Sequence, residues 1–296
     1  MRGKAGFVGG RLLVGGLRRG LGKPMFSTMA SGLAVSAGVF AASNALGFTI
    51  TAATRTHKVA DLLSSGPFVL SAVATYAAGP GTTAGLVATG LTGLYCIRLT
   101  SFLVKRVLKL GKDTRFDGYI PEEGEKMTAA KLKSLGGLWT IMASWGFIVS
   151  LPVTIINSTA AATAGPLFWV FISGQAAGFV IEALADTQKS KFKEDPKNKG
   201  NFITTGLWKY SRHPNYFGEI VFWWSAFGSA VASCGISAPA LLAIGSPAMT
   251  TALLLKVSGI PLAEQKDEEK YGVREEFQRY KRTTNLLIPG TPKRED

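Results

Sequence analysis

Cysteine is nearly missing from this chain. Cys96 and Cys234 are the only two in 296 residues, and both sit inside apolar runs. That argues against a disulfide scaffold and leaves the thiols without a redox message. Histidine is as scarce, with His57 and His213 alone, which argues against a zinc site when the cysteines are also scattered. Aspartate and glutamate are absent from the first 60 residues. Charge of either sign is absent from four long stretches: 31 residues between Lys23 and Arg55, 36 between Asp61 and Arg98, 48 between Lys133 and Glu182, and 36 between Glu219 and Lys256. These hold 151 residues, about half of the chain. A soluble domain places charge on every exposed face, whereas one helical membrane span needs ~20 mostly apolar residues. The runs therefore argue against a cytosolic globular enzyme, and 47% hydrophobic residues exclude disorder.

Familiar catalytic and nucleotide motifs are missing as well. Gly79-Pro80-Gly81 with Gly85 mimics a dinucleotide loop, but its spacing is wrong and it contains proline. Gly22-Lys23 lacks the earlier glycine of a P-loop, and no G-x-S-x-G elbow is present. The net charge of +14 is not the footprint of a nucleic-acid protein. Its basic residues cluster between apolar runs, as positive-inside loops do, and no nucleic-acid motif accompanies them.

The chain therefore reads as an all-α, polytopic helical membrane protein with about seven transmembrane helices. Turn residues divide the uncharged runs into spans near 31–53, two pieces within 62–104 split at Gly79-Pro80-Gly81, then 134–156, 165–186, 214–234 and 239–262. The short piece 66–78 also fits a re-entrant segment. Four regions result: a basic tail or organelle presequence over 1–30, N-terminal membrane helices over 31–104, a polar loop over 105–133, and a C-terminal membrane domain over 134–296. Arg2, Lys4, Arg11, Arg18, Arg19, Lys23, Arg55 and Lys58 make the start basic, which suits either a presequence or a tail ahead of the first span.

The polar segments 105–133, 187–213 and 263–296 are separated by pairs of spans. All three share one membrane face, which the positive-inside rule makes cytosolic or its equivalent. The expected location is the endoplasmic reticulum or an organelle membrane, plastid or mitochondrial if the N-terminus is a presequence. The sequon Asn157-Ser158-Thr159 lies close to the opposite face and is expected to stay unused. Gly174 and Gly178 form a small-xxx-small pair suited to close helix packing.

Polar side chains within spans or at their ends need partners, which makes them functional suspects. Arg98, Glu182, Asp186, Glu219, Lys256 and Glu264 qualify. Glu182 and Asp186, four apart, share a helix face. They suit accepting hydrogen bonds from a ribose or holding a cation, or simply cap a helix against Lys189. The densest constellation runs from Gly206 to Glu219: Tyr210, Arg212, His213, Asn215, Tyr216 and Glu219 lie within ten residues where a polar loop enters a span. Arg212 and His213 beside a helix N-terminus favour an anion. An interfacial belt would also account for Trp208, Tyr210, Trp223 and Trp224, but not for His213, Asn215 and Glu219 together.

The residues RHPNYFGE, Arg212 to Glu219, carry a resemblance to a family of membrane proteins of unknown function. That family is allied to the C-terminal domain of steroid 5-alpha-reductase (3-oxo-5-alpha-steroid 4-dehydrogenase). The resemblance runs from about His57 to Pro289 and includes HKVADL (His57 to Leu62), GKDTRFDGY (Gly111 to Tyr119), SLPVTIIN (Ser150 to Asn157), EALADTQKSKF (Glu182 to Phe192) and SGIPLAE (Ser258 to Glu264). KYG (Lys270 to Gly272) and TTNLLIP (Thr283 to Pro289) close it. The RHP core is shared with isoprenylcysteine methyltransferases and sterol reductases.

The resemblance implies an integral membrane reductase that binds NADPH in a pocket opening to the cytosol. Its substrate would be lipid or steroid-like, with a double bond conjugated to a carbonyl. Glu182, Asp186, Tyr210, Arg212, His213, Asn215, Tyr216, Glu219 and Glu264 match the family's cofactor positions, with Glu182 standing where the steroid reductases usually carry an amide. The carbonyl-polarising pair of those enzymes has no aligned counterpart, and Tyr95 and Arg98 are positional candidates for that catalytic role. Two alternatives stay open: an S-adenosylmethionine-dependent membrane methyltransferase using the same loop, and a non-enzymatic scaffold.

Overall fold

The computed structural model describes residues 25–56, 58–110, 118–120 and 126–294. The basic segment 1–24, His57 and most of GKDTRFDGY lie outside the described residues. All regular elements described are helical. They are α1 (Met25–Thr54), α2 (Ala60–Ser65), α3 (Pro67–Ala78), α4 (Thr83–Leu110), α5 (Ala129–Val149), α6 (Leu151–Ser158) and α7 (Pro166–Glu194). Beyond a polar connection follow α8 (Pro214–Cys234), α9 (Ala238–Leu242), α10 (Gly245–Ala252), α11 (Ile260–Tyr271) and α12 (Glu275–Thr283).

Five helical stretches are long and apolar enough to cross a membrane: Thr28–Thr54, Thr83–Lys109, Ala129–Val149, Pro166–Glu194 and Ala238–Tyr271. The protein is thus a polytopic helical membrane protein. The two remaining expected spans differ from each other. Helix α8 has 21 residues, enough for a crossing, and lies antiparallel against α7. Helix α3 has 12 residues, about 18 Å at 1.5 Å per residue, which is short of the ~30 Å hydrocarbon core and agrees with a re-entrant piece.

Two expected spans are broken. The 134–156 run ends as α5 at Val149 and restarts as α6 at Leu151. Pro152 cannot donate a backbone bond to the turn before it, and the corner is tied instead by hydroxyls. Ser36 and Ser150 share a hydrogen bond of 3.1 Å, Ser71 donates to Ser36 at 2.8 Å, and Ser246 donates to the Val149 carbonyl at 2.8 Å. The 239–262 run is divided among α9, α10, a π turn at Leu253–Val257 and α11. Gly259 and Pro261 sit where the last break falls, and a Cβ on Gly259 would lie 2.4 Å from the Leu254 carbonyl oxygen.

Asn157 is buried at the junction of α3, α4 and α6. Its amide nitrogen, with two hydrogens to donate, lies 2.9 to 3.0 Å from three acceptors, the Ala72 carbonyl, Thr75 Oγ1 and Thr89 Oγ1. Buried and bonded in this way, the sequon asparagine ties three helices together. Lys109 at the end of α4 pairs with Glu194 at the end of α7 at 2.9 Å, so the polar ends of these helices meet on one face.

The most extensive helix pair is α7 with α8. Its closest approach is at Gly178 and Gly218: a Cβ on Gly178 would come 2.6 Å from the Gly218 carbonyl oxygen and the Phe222 nitrogen. Backbone atoms cannot rotate away, so Gly178→Val should cost at least about 1–3 kcal/mol by overpacking. Thermal unfolding in detergent should show a clear drop for Gly178→Val and none for Gly38→Ala, whose Cβ would meet open space. Equal stability of both variants would disprove the backbone contact.

Candidate functional site

Helix α7 sets Glu182 and Asp186 one turn apart on a buried face. Arg98 crosses to them from α4 and bonds each carboxylate, Nη1 to Glu182 Oε1 at 3.0 Å and Nη2 to Asp186 Oδ2 at 2.7 Å. From the first turn of α8, Asn215 Nδ2 donates to the other Asp186 oxygen at 3.2 Å. Glu219 lies one turn further along α8 within electrostatic reach of Asp186 and Arg98. It has no hydrogen-bond partner among the described residues. Three carboxyl groups around one guanidinium make the inner end of this site acidic.

Tyr95 precedes Arg98 by three residues on α4 and so shares its face. Its ring is fully buried and stacks on Phe222 with centroids 3.8 Å apart. The hydroxyl lies beside the Glu182 carboxyl, yet neither Tyr95 Oη nor Glu182 Oε2 completes a hydrogen bond of ordinary geometry.

The segment before α8 is positioned from two sides. On the α7 side, Gly206 takes a left-handed φ of +62° directly over Gln188, whose Oε1 accepts from the Leu207 nitrogen at 2.9 Å. Trp208 donates its indole N–H to the Ala185 carbonyl at 3.0 Å. On the other side, Arg212 N donates to the Asn285 carbonyl at 2.9 Å, Ser211 to the Leu287 carbonyl at 2.7 Å, and Tyr280 to the Trp208 carbonyl at 2.6 Å. Burial pushes the Tyr280 phenol up, which keeps it a donor across the working pH range. Pro214 then opens α8, where its missing N–H costs nothing.

Between these supports, Glu264 of α11 bridges Arg212 and His213, its Oε2 to Arg212 Nη1 at 2.5 Å and its Oε1 to His213 Nε2 at 2.7 Å. His213 stacks on Tyr216 with centroids 5.5 Å apart and planes 8° from parallel. Beyond Arg212 and Glu264 opens a cavity of about 230 Å³, whose wall includes Lys189, Trp208, Tyr271 and Tyr280.

The structure thus brings together Tyr95, Arg98, Glu182, Asp186, Asn215 and Glu219 as one group, and Arg212, His213, Tyr216 and Glu264 as its neighbour. Tyr210 lies apart, with its ring largely exposed and its carbonyl accepting from Gly290 N at 3.1 Å. The interfacial-belt reading fails for Trp208 and Trp223, which are buried, and fits the exposed Tyr210 and Trp224. Sequence reasoning missed Gln188 and the pair of Arg106 with buried Asp61, 3.9 Å apart, and read Lys189 only as a helix-capping partner of Glu182 and Asp186. Arg106 follows Arg98 by eight residues, a spacing that places both on the same side of α4. Gln188 has no such signal.

Removing Arg98 would strand two buried carboxylates, a change that costs roughly 3–5 kcal/mol. Unfolding in detergent should show this loss for Arg98→Ala and recovery of most of it in Arg98→Met with Glu182→Gln and Asp186→Asn. An Arg98→Ala protein as stable as the parent would mean the clamp is not formed.

No curated protein and no solved structure matches the chain. The family model described as protein of unknown function DUF1295 does match it, over residues 47–284. That stretch begins within α1 and ends just past α12, taking in both groups of site residues, and the chain belongs to this family.

Proposed function

We propose that this membrane protein is an NADPH-dependent reductase allied to the steroid 5-alpha-reductases, acting on a carbon–carbon double bond conjugated to a carbonyl in a lipid or steroid-like substrate. The observation that supports it best is a set of unmet polar atoms. Arg212 Nε and Asn215 Oδ1 are buried without a hydrogen-bond partner among the described residues, and Tyr95 Oη and Glu182 Oε2 face each other with no further partner described. Each unmet buried atom costs about 1–3 kcal/mol, and a polar ligand that supplies both donors and acceptors would relieve those in these adjoining groups. A dinucleotide does so through its carboxamide, ribose hydroxyls and phosphates.

When bound, NADPH supplies a hydride to an electron-poor carbon. The chain's own groups divide the remaining work. Glu182 Oε2 and Asn215 Oδ1 are acceptors for amide or hydroxyl hydrogens, and Arg212 Nε is a donor for an anionic oxygen. Tyr95, beside Glu182, is the donor suited to polarise a substrate carbonyl and to hold the proton that follows. The surrounding rings of Phe222, Trp223 and Phe179 exclude water from that end.

The substrate class is supported by a groove of about 510 Å³ between α1 and α5, lined by Phe40, Phe48, Trp139 and Phe147 over small residues such as Ala41 and Ala143. Its wall residue Phe40 touches Phe68, which touches Trp223, which touches Tyr95, at centroid distances of 5.1 to 5.9 Å. An apolar molecule entering from the bilayer would meet these rings first. The polar face carrying the cofactor end would be the cytosolic or equivalent side, by the positive-inside rule.

Calorimetric titration of the purified chain should detect NADPH but not S-adenosylmethionine. Arg212→Ala should weaken NADPH by about tenfold or more. Tyr95→Phe should leave NADPH affinity nearly unchanged while lowering NADPH oxidation with enone lipids by about 10²–10⁴. A chain that ignores NADPH, or one that binds S-adenosylmethionine instead, would overturn the reading.

A further inference from the structure

The cavity beyond Arg212 and Glu264 has an unusual charge arrangement. Two lysines of α7, Lys189 and Lys193, and two of α11, Lys266 and Lys270, line it from opposite sides. Each pair is four residues apart on its helix, a like-charge spacing that destabilises a helix. Lys193 also feels Lys270 across the cavity. None of the four makes an ion pair with a carboxylate among the described residues. Asp267 offsets only part of this charge, because the other carboxylate in the wall, Glu264, is already committed to Arg212 and His213.

The remaining wall is aromatic. Lys189 lies 4.4 Å over the Trp208 ring and Lys270 4.9 Å over Tyr271, so ring faces hold the ammonium groups at the cavity. Phe202 packs against Tyr271, Phe277 and Tyr280 within 5.7 Å, an apolar surface suited to a flat base. At about 230 Å³ the space is smaller than the ~300–1,000 Å³ of a whole small-ligand pocket. It suits one end of a larger molecule.

We propose that this cavity takes the adenosine end of the dinucleotide, with the four lysines gripping its 2′-phosphate, so that the chain selects NADPH over NADH. This rests on the reductase reading above. From Glu182 to Lys193 is eleven residues of α7, about 16 Å of helix, which an extended dinucleotide can span. A phosphomonoester supplies the compact dianion that four unpaired lysines need. S-adenosylmethionine has no phosphate and would leave them unpaired.

The full chain in neutral detergent is titrated with NADPH, NADH and 2′,5′-ADP, as wild type and as the double variant Lys266→Gln with Lys270→Gln. Both side chains are exposed, so folding is not at risk. The wild type should prefer NADPH by at least about tenfold, and 2′,5′-ADP should displace it. The double variant should lose most of that preference while NADH affinity stays within about twofold. An unchanged NADPH-to-NADH ratio in the variant would overturn the cavity's assignment and leave the reductase reading standing. Failure of the wild type to bind either dinucleotide would remove both. Lysine-dependent binding to phosphatidic acid vesicles with no dinucleotide preference would make the cavity a lipid-headgroup site and overturn the proposal.

Discussion

Gly178 and Gly218 let α7 and α8 touch backbone to backbone, and the positions of the inner polar groups follow from that contact. A Cβ on Gly218 would lie 2.6 Å from the Glu182 nitrogen, so any larger residue would push α8 outward. The displacement would carry Asn215 away from Asp186 and Glu219 away from the Arg98 cluster. The contact continues along both helices, with Gly174 beneath Ser225 and Gly228 beneath Phe171, which fixes the antiparallel register. Close packing of small residues is the usual means of holding helices together in lipid, where no hydrophobic force acts between them.

Once α8 is seated, its entry loop still needs its backbone groups satisfied. Ala185 and Gln188 of α7 supply partners on one side, and Asn285, Leu287 and Tyr280 supply them on the other. The C-terminal segment therefore acts as a structural half of the loop rather than as an appendage. Glu264 adds a charged bridge from a helix that begins after a π turn and Gly259. Such a turn moves the following helix out of line with the preceding one, and here it brings α11 across the polar end of α7.

Hydropathy made the helices legible because it is a local property: charge-free runs translate directly into α1, α4, α7 and α8. The corner at Ser150 and the breaks before α11 were not legible. A proline or glycine within an apolar run leaves its hydropathy unchanged, while the hydroxyls that stabilise the corner come from α1, α3 and α10. The spacing of Glu182 and Asp186 announced a shared face, but their partner Arg98 is 84 residues from the first, and nothing local points to it. Trp208 and Trp224 look alike in composition, yet one donates into the interior and the other faces outward. Burial and the hydrogen-bond partner, the Ala185 carbonyl for Trp208 and Thr251 Oγ1 for Trp224, separate them.

Helix α7 changes sign along one side. Its inner residues Glu182 and Asp186 are acidic and held by Arg98, while its outer residues Lys189 and Lys193 are basic and make no ion pair among the described residues. This polarity restricts how any elongated ligand can lie. An anionic group at the inner end would meet three carboxyl groups and compete with them for a single guanidinium. At the outer end the same group would meet four lysines and relieve their mutual repulsion. A ligand with a phosphorylated end and an uncharged or cationic end is therefore accepted in one direction and resisted in the other. That direction puts its uncharged end against Tyr95, where the rings exclude water, and its phosphates toward the polar face of the membrane.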